Sequence, residues 1–398
     1  MKRLDGESYI GFAKRITNLL QDGVITANEW GESILGENIY SQETNRRCGK
    51  FMAEFLEKVD EDISEDKIGE MVKLKEEISK ERKKLQTTNA EYNEKVRHEA
   101  RVEMLNEKIV DTISNLEPIV FKQKKYEPKE RSATGVLCIA DAHNGVEINM
   151  KSLFNEVVNV YSPETLKARL ESLLWKVVDD MDRMVDYDKL IVFDLGDQIQ
   201  NILRLSDLAK LKTGVLESAL DYANTISCWL NELSNELEVP IEYICLGGNH
   251  CEMRLLEKGR NWEEENLGYV IREFVDLRLK DNPNITVAPY SEFGFKTVEG
   301  INILAIHGDD AKKDLEEISY WENFHQISID ILLMGHVHHS EQMTVGYGIT
   351  GDKEVIKVPS LVGVDSFSKK CRKLARAGAK FMLFEDGEKT WERTYMLN

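Results

Sequence analysis

Five short apolar runs in this chain each lead into a cluster of Asp, Asn or His, and that ordered series constrains the fold more than any other feature. The runs are GVLCIA, KLIVFDLG, IEYICLGG, INILAIHG and IDILLMGH. They lead, in turn, to Asp141 and His143, to Gly196 and Asp197, to Gly248, Asn249 and His250, to His307, Gly308 and Asp309, and to Gly335, His336 and His338. Runs this short and apolar read as buried strands; the stretches 164–187, 206–236, 262–280 and 310–327 read as helices. Strands alternating with helices predict a layered α/β domain. In open α/β sheets, ligands gather outside the carboxyl ends of strands, where these residues fall.

The chain holds eight histidines, and five of them stand at these ends: His143, His250, His307, His336 and His338. A lone histidine at a strand end is usually a satisfied structural residue. Five beside Asp141, Asp197 and Asn249 point to a metal site instead. Imidazole, carboxylate and amide oxygen suit Mn²⁺, Fe²⁺ or Zn²⁺. The lack of thiolates at these points argues against a structural zinc site. The six cysteines are scattered and form no C-x-x-C pair, as expected of reduced thiols in a cytoplasmic protein.

D-x-H, G-D, G-N-H, H and G-H-x-H, in that order, resemble the signature of calcineurin-like metallophosphoesterases. The resemblance covers Gly135 to Asp386. It implies a double β-sandwich flanked by helices, with two divalent metals about 3.5 Å apart. Carried over, Asp141, His143 and His338 hold the first metal, and Asp197 bridges both. Asn249, His307 and His336 hold the second. His250 contacts the phosphate and protonates the leaving group. The implied reaction is phosphoester hydrolysis by metal-activated hydroxide. Mn²⁺ is the expected metal, with Fe²⁺, Zn²⁺ or Ni²⁺ as alternatives. The pattern departs three residues after the bridging aspartate, where Gln200 stands in place of the family's usual Asp, Asn or His. Gln200 either orients substrate or caps a helix. Arg254, shortly after G-N-H, is placed to meet a substrate phosphate. Asp309 and Asp310 suit either support of the metal site or a helix start. His339 and Cys251 are read as non-ligands.

With 398 residues the chain has room for about two or three domains. Residues 1–60 show three short helical patterns separated by Asp22-Gly23 and Gly36, which suits a helix-turn-helix-like module. Arg46, Arg47 and Lys50 would be its DNA-facing side; a small helical cap is the plainer reading. Residues 61–117 are dense in Glu, Lys and Arg and carry a sparse apolar stripe. They predict a long helix or helical hairpin, either simply solvated or pairing with a second copy of the chain. Residues 118–134 read as a linker, and residues 135–398 as the metallophosphoesterase domain. No run is long enough to span a membrane.

This domain order, with the late segment VPSLVGVDSFSKKCRKLARAGAKFMLFE, resembles phage- and prophage-encoded phosphoesterases of the SbcD exonuclease type. The leading expectation is therefore a Mn²⁺-dependent DNA nuclease in a bacterial or phage-infected cytoplasm. Charge speaks against it. Residues 1–130 carry 23 basic and 27 acidic side chains, a net of −4, so the remainder carries −15 of the total −19. An acidic surface repels a polyanion. A nuclease would need a local basic track, and Lys369, Lys370, Arg372, Lys373 and Arg376 form the densest basic run of the domain. The alternatives are a phosphodiesterase or phosphatase acting on a nucleotide or other small phosphoester, and a DNA-binding or assembly protein with an inactive phosphoesterase domain.

Overall fold

The structure, a computed structural model, describes residues 1–36, 40–58, 65–122, 124–127, 133–202, 207, 209–253, 266–311, 313–348 and 351–398. It divides into two compact units, Met1–Glu103 and Met104–Asn398.

The first unit is helical. Helix α1 (Tyr9–Gln21) starts at Ser8, whose side chain accepts from the Gly11 N–H. Helix α2 (Ala27–Leu35) begins with a reciprocal cap between Thr26 and Glu29 and ends at Gly36, with φ +85°. That left-handed backbone costs glycine little. Helix α3 (Gln42–Lys58) follows. Phe12, Ile16, Ile25 and Trp30 form the core, with Leu19, Leu20, Ile34 and Met52 against it. Trp30 Nε1 donates to Thr17 Oγ1 at 3.1 Å, so the buried indole keeps a partner. A Cβ on Gly49 would meet Leu20 Cδ2 at 2.4 Å, so a larger residue there would make the Leu20 side chain shift. Helix α4 (Glu65–Ser114), 50 residues long, begins in this unit and ends beyond Glu103. Leu74, Ile78, Leu85, Tyr92 and Val96 on it are exposed.

The second unit is an α/β sandwich. In chain order it contains β1 (Ala133–Ile139), β2 (Ile148–Lys151), β3 (Val157–Tyr161), α5 (Pro163–Arg183), β4 (Lys189–Asp194), α6 (Val215–Leu237) and β5 (Ile241–Cys245). Then come α7 (Leu267–Leu279), β6 (Ile285–Val287), β7 (Gly294–Val298), β8 (Ile301–Ile306), α8 (Asp314–His325) and β9 (Ile331–Met334). It closes with β10 (Glu341–Tyr347), β11 (Asp352–Lys357), α9 (Ser366–Cys371), β12 (Gly378–Glu385) and β13 (Glu388–Met396). One sheet runs β13-β12-β1-β4-β5-β6 and the other β10-β11-β9-β8-β7; β2 and β3 form a separate hairpin. Strands β1, β4, β5 and β6 are mutually parallel, as are β8, β9 and β11.

Side-chain alternation sets the layers. Val136, Cys138, Ile191, Phe193 and Ile244 of the first sheet meet Ile303, Ala305, Ile331, Leu333 and Ile356 of the second. The alternate residues Leu137, Ile139, Leu190 and Val192 pack against α5, α6 and α7. On the far side, Leu304, Ile306 and Leu332 cover Ile318 of α8. The result is helix, sheet, sheet, helix, so the expected double sandwich flanked by helices and preceded by a helical region is present. Central strands are buried on both faces, hence their unbroken apolar runs.

The stretch before β1 lies along this unit. Leu116 and Ile119 pack on the core. Asn231 donates to the Val120 carbonyl at 2.8 Å, and the buried Tyr126 donates its N–H to Asn284 Oδ1 at 2.6 Å.

Candidate metal centre

The strand ends of both sheets meet at one edge of the sandwich. After β1, the Asp141 N–H donates to the Gly196 carbonyl at 3.1 Å and the His143 N–H to the Asp197 carbonyl at 2.8 Å. After β5, the His250 N–H donates to Asp197 Oδ1 at 2.7 Å. After β9, the His336 N–H donates to Asp141 Oδ1 at 3.1 Å. Five of the site residues hold left-handed backbone: Asp141 (φ +53°), His143 (+42°), Asp197 (+51°), His336 (+63°) and His338 (+57°). Each such residue costs on the order of 1–3 kcal/mol and persists only where its surroundings enforce it. Here the hydrogen bonds between the turns, and from the turns to the Asp197 and Asp141 carboxylates, do so. Gly248 must be glycine, because a Cβ there would sit 2.2 Å from Asp197 Oδ1.

Three overlapping groups of ligand atoms result among the described residues, each with its atoms within 4.8 Å of one another: Asp141 with His143 and His338, His143 with Asp197 and His250, and Asp197 with His307 and His336. Asp197 Oδ2 lies 3.2 Å from His307 Nε2 and 3.8 Å from His143 Nε2, so one carboxylate oxygen reaches toward the first and the last of these groups. Asn249 Oδ1 lies 3.2 Å from His307 Nε2. His250 also comes within reach of His143 and Asp197.

The donors fit cations. His143 Nε2 and His338 Nε2 face each other at 3.1 Å. At most one can carry a proton between them, and a metal would use both lone pairs. Asp141 Oδ2 is buried with no hydrogen-bond partner. His307 Nδ1 donates to the Leu195 carbonyl at 2.8 Å, which turns Nε2 toward the two oxygens of Asp197 and Asn249. Such an orienting bond behind a ligand imidazole is the usual support of a metal site.

The titrations reflect the same crowding. Burial raises Asp141 to about 6 against the pull of His338 and His307. Burial disfavours the charged His307 ring, yet Asp197 outweighs it and the pKa rises to about 10. Asp197 moves the other way: burial would raise it, but His307, His250 and His143 hold it well below the ordinary carboxylate value. Burial drives His336 down to about 4.

Gln200 is at the site as well. Its Nε2 donates to His250 Nδ1 at 3.1 Å, which leaves the His250 proton on Nε2. Arg254 lies outside the described residues. Cys251 is buried and donates to Gln198 Oε1 at 3.1 Å. His339 Nε2 turns to Glu341 at 3.1 Å. Burial raises the Asp309 carboxyl despite the nearby His307.

Several supporting residues were not expected. Asp365 Oδ2 lies 3.2 Å from His338 Nδ1, and Asp365 also caps α9. Phe367 sets its ring 5.5 Å from that of His336 and 5.1 Å from that of His338. Tyr161 of β3 donates to the Ala142 carbonyl, inside the Asp141–His143 turn. Beneath the Asp197 turn, the buried Asp194 accepts from Tyr222 and Tyr243 at 2.7 Å each and from Gln198 at 3.1 Å. Nothing in the sequence tied Asp365 to His338.

Residues 74–116 match the family model described as the YonJ coiled-coil domain. Over 384 residues the chain is 29% identical to the SPbeta prophage-derived uncharacterized protein YonJ of Bacillus subtilis (strain 168), covering 93% of this chain and 90% of that protein. Among solved structures it is similar to Vps29 complexed with Zn²⁺ from Entamoeba histolytica, at 13% identity and TM-score 0.30, over 66% of this chain and 99% of that one. It is likewise similar to the phosphoesterase Yfce from E. coli, at 13% identity and TM-score 0.28, over 66% and 100%. A metallophosphoesterase from Sphaerobacter thermophilus matches at 11% identity and TM-score 0.29, over 67% of this chain and 89% of that one.

Proposed function

We propose that the chain is a dinuclear-metal phosphodiesterase that cuts DNA with Mn²⁺. One observation supports this most: two groups of donors, the buried Asp141, His143 and His338 on one side and the buried Asp197 and His307 with the half-buried His336 on the other, share an edge at Asp197 Oδ2. Two divalent cations, when bound, supply Lewis acidity and a lowered pKa for water at that point. The chain's own residues do the rest. Asp197 has Oδ1 committed to the His250 N–H, which leaves Oδ2 to face both groups. Gln200 fixes the His250 tautomer, so its Nε2 proton is available to a leaving oxygen. Phe367 covers the rings of His336 and His338.

The test is cleavage of end-labelled single- and double-stranded DNA with Mn²⁺, with Asp197→Asn as control. Cutting by wild type alone sustains the reading. The −15 of the catalytic part favours a second reading, a small phosphoester substrate. Hydrolysis of a small diester with DNA left intact would decide for it. Hydrolysis of neither would leave a binding or assembly role.

The same proposal gives the helical unit two tasks. The exposed Arg46, Arg47 and Lys50 of α3 would dock DNA. Ile78, Leu85 and Tyr92, exposed at seven-residue spacing on α4, would pair with a second copy. The match to a coiled-coil model supports the second task. Mass measured by light scattering tests it; a monomer at micromolar concentration would refute it. The likeness to a prophage-derived bacterial protein supports a bacterial cytoplasmic setting.

A further inference from the structure

Most basic side chains with a defined place in the acidic sandwich unit have acidic partners. Lys122 pairs with Glu238, Lys167 with Asp221, Lys296 with Glu242, Lys380 with Glu392 and Arg393 with Asp180. The segment from Lys369 to Arg376 departs from this. Lys369, Lys370, Arg372 and Arg376 are exposed, and none has an acidic partner among the described residues.

This segment is also held against the metal centre at both ends. At its start, Asp365 reaches His338 Nδ1 at 3.2 Å and Phe367 lies against the rings of His336 and His338. At its far end, Lys373 Nζ donates to His339 Nε2 at 3.0 Å and to Glu341 Oε2 at 3.2 Å. The first attachment falls on the loop that carries His336 and His338; the second falls on His339 of that loop and on Glu341, the first residue of β10. Lys369, Lys370 and Arg372 therefore lie between two anchors on the wall of the site. Cations held together without acidic partners leave a local positive potential in an acidic unit.

We infer that Lys369, Lys370 and Arg372 form a track for the phosphate backbone of a single polynucleotide strand entering or leaving the metal centre. The inference rests on the phosphodiesterase reading of that centre and names its substrate as a polymer. A mononucleotide in the site would have no further phosphate to reach the track. A strand places one phosphate per nucleotide, and each cation that meets one releases counterions.

The experiment compares wild type, Lys369→Gln/Lys370→Gln/Arg372→Gln and the control Lys313→Gln, whose lysine pairs with Glu316 on α8. Binding of a fluorescent 30-nucleotide single strand is titrated between low and moderate salt, and hydrolysis of bis(p-nitrophenyl) phosphate with Mn²⁺ is followed in parallel. Circular dichroism confirms that each variant folds. The triple variant should lose about 2 from the magnitude of the slope of log K against log salt, at about 0.7 per phosphate contact. Lys313→Gln should bind the strand like wild type, and small-diester hydrolysis should stay within twofold for all three proteins. An unchanged slope in a folded triple variant overturns the track. If small-diester hydrolysis is absent in wild type, the phosphodiesterase reading fails by itself, while the salt slope still decides the track. Should the triple variant misfold, the single variants Lys370→Gln and Arg372→Gln replace it, each expected to lower the slope by about 0.7.

Discussion

The two units are built on different physical terms. The helical unit rests on a core of four buried side chains and on local devices: a reciprocal cap at Thr26, a left-handed glycine at Gly36 and a tight approach at Gly49. The sandwich buries three apolar layers drawn from strands and helices far apart in sequence. A small core has little to spare when one side chain is lost; a large one can tolerate strain. In the sandwich, five residues with left-handed backbone fall among the candidate ligands. Chemistry that needs charged groups forced together belongs in the unit with burial to offset it.

The largest expected effect separates the units by function. Asp197→Asn should lower diester hydrolysis by more than about 10³-fold, several kcal/mol of barrier, while α1–α3 melt as in wild type. Retained hydrolysis would remove Asp197 from its proposed role. Next, Trp30→Ala should destabilise the helical unit by about 3–5 kcal/mol, because the ring fills most of that core and its N–H holds Thr17. Small-diester hydrolysis should survive; its loss would show that the sandwich depends on the first unit.

A subtler change tests the support behind the ligands. Asp365→Asn should weaken divalent-metal binding about 10–100-fold, read by calorimetry without any substrate. Equal affinity would reduce Asp365 to a cap of α9. A further effect, seen only in the pH dependence of stability, concerns Asp194, which burial raises to about 6 against the hydrogen bonds of Tyr222, Tyr243 and Gln198. Its folded pKa thus lies above the unfolded value of about 3.9. The favourable contribution is full below pH ~4 and is lost as pH rises through about 6, a swing of about 3 kcal/mol. Relative to Asp194→Asn, wild type should therefore gain stability as pH falls from about 6 to 4. A pH-independent difference in denaturant midpoints would show that Asp194 keeps its charge state.

Much of the fold was legible because its signals are local. The runs at β1, β4, β5, β8 and β9 announce themselves, since strands buried on both faces need apolar residues at every position. Strands β10, β11 and β13 were not read, because one of their faces meets water and their alternation is diluted by Lys and Glu. The candidate ligands were legible as residue types at strand ends. Gln200, with two readings open, resolves to a partner of His250 only once the turns after β4 and β5 lie side by side.

The sequence by itself determined which atoms could serve: imidazoles, carboxylates and an amide placed at the ends of strands, with glycines where a Cβ would collide. Only the tertiary structure decided which of them meet. Asp365, Phe367 and Tyr161 reach the site from segments separated from their partners by many residues, and the basic run after Phe367 is held against His336–His339 by contacts at both ends. Side-chain type and period are written residue by residue along the chain. Proximity across the sandwich exists only after two sheets and the four helices packed on them have buried their apolar sides and brought the strand ends to one edge.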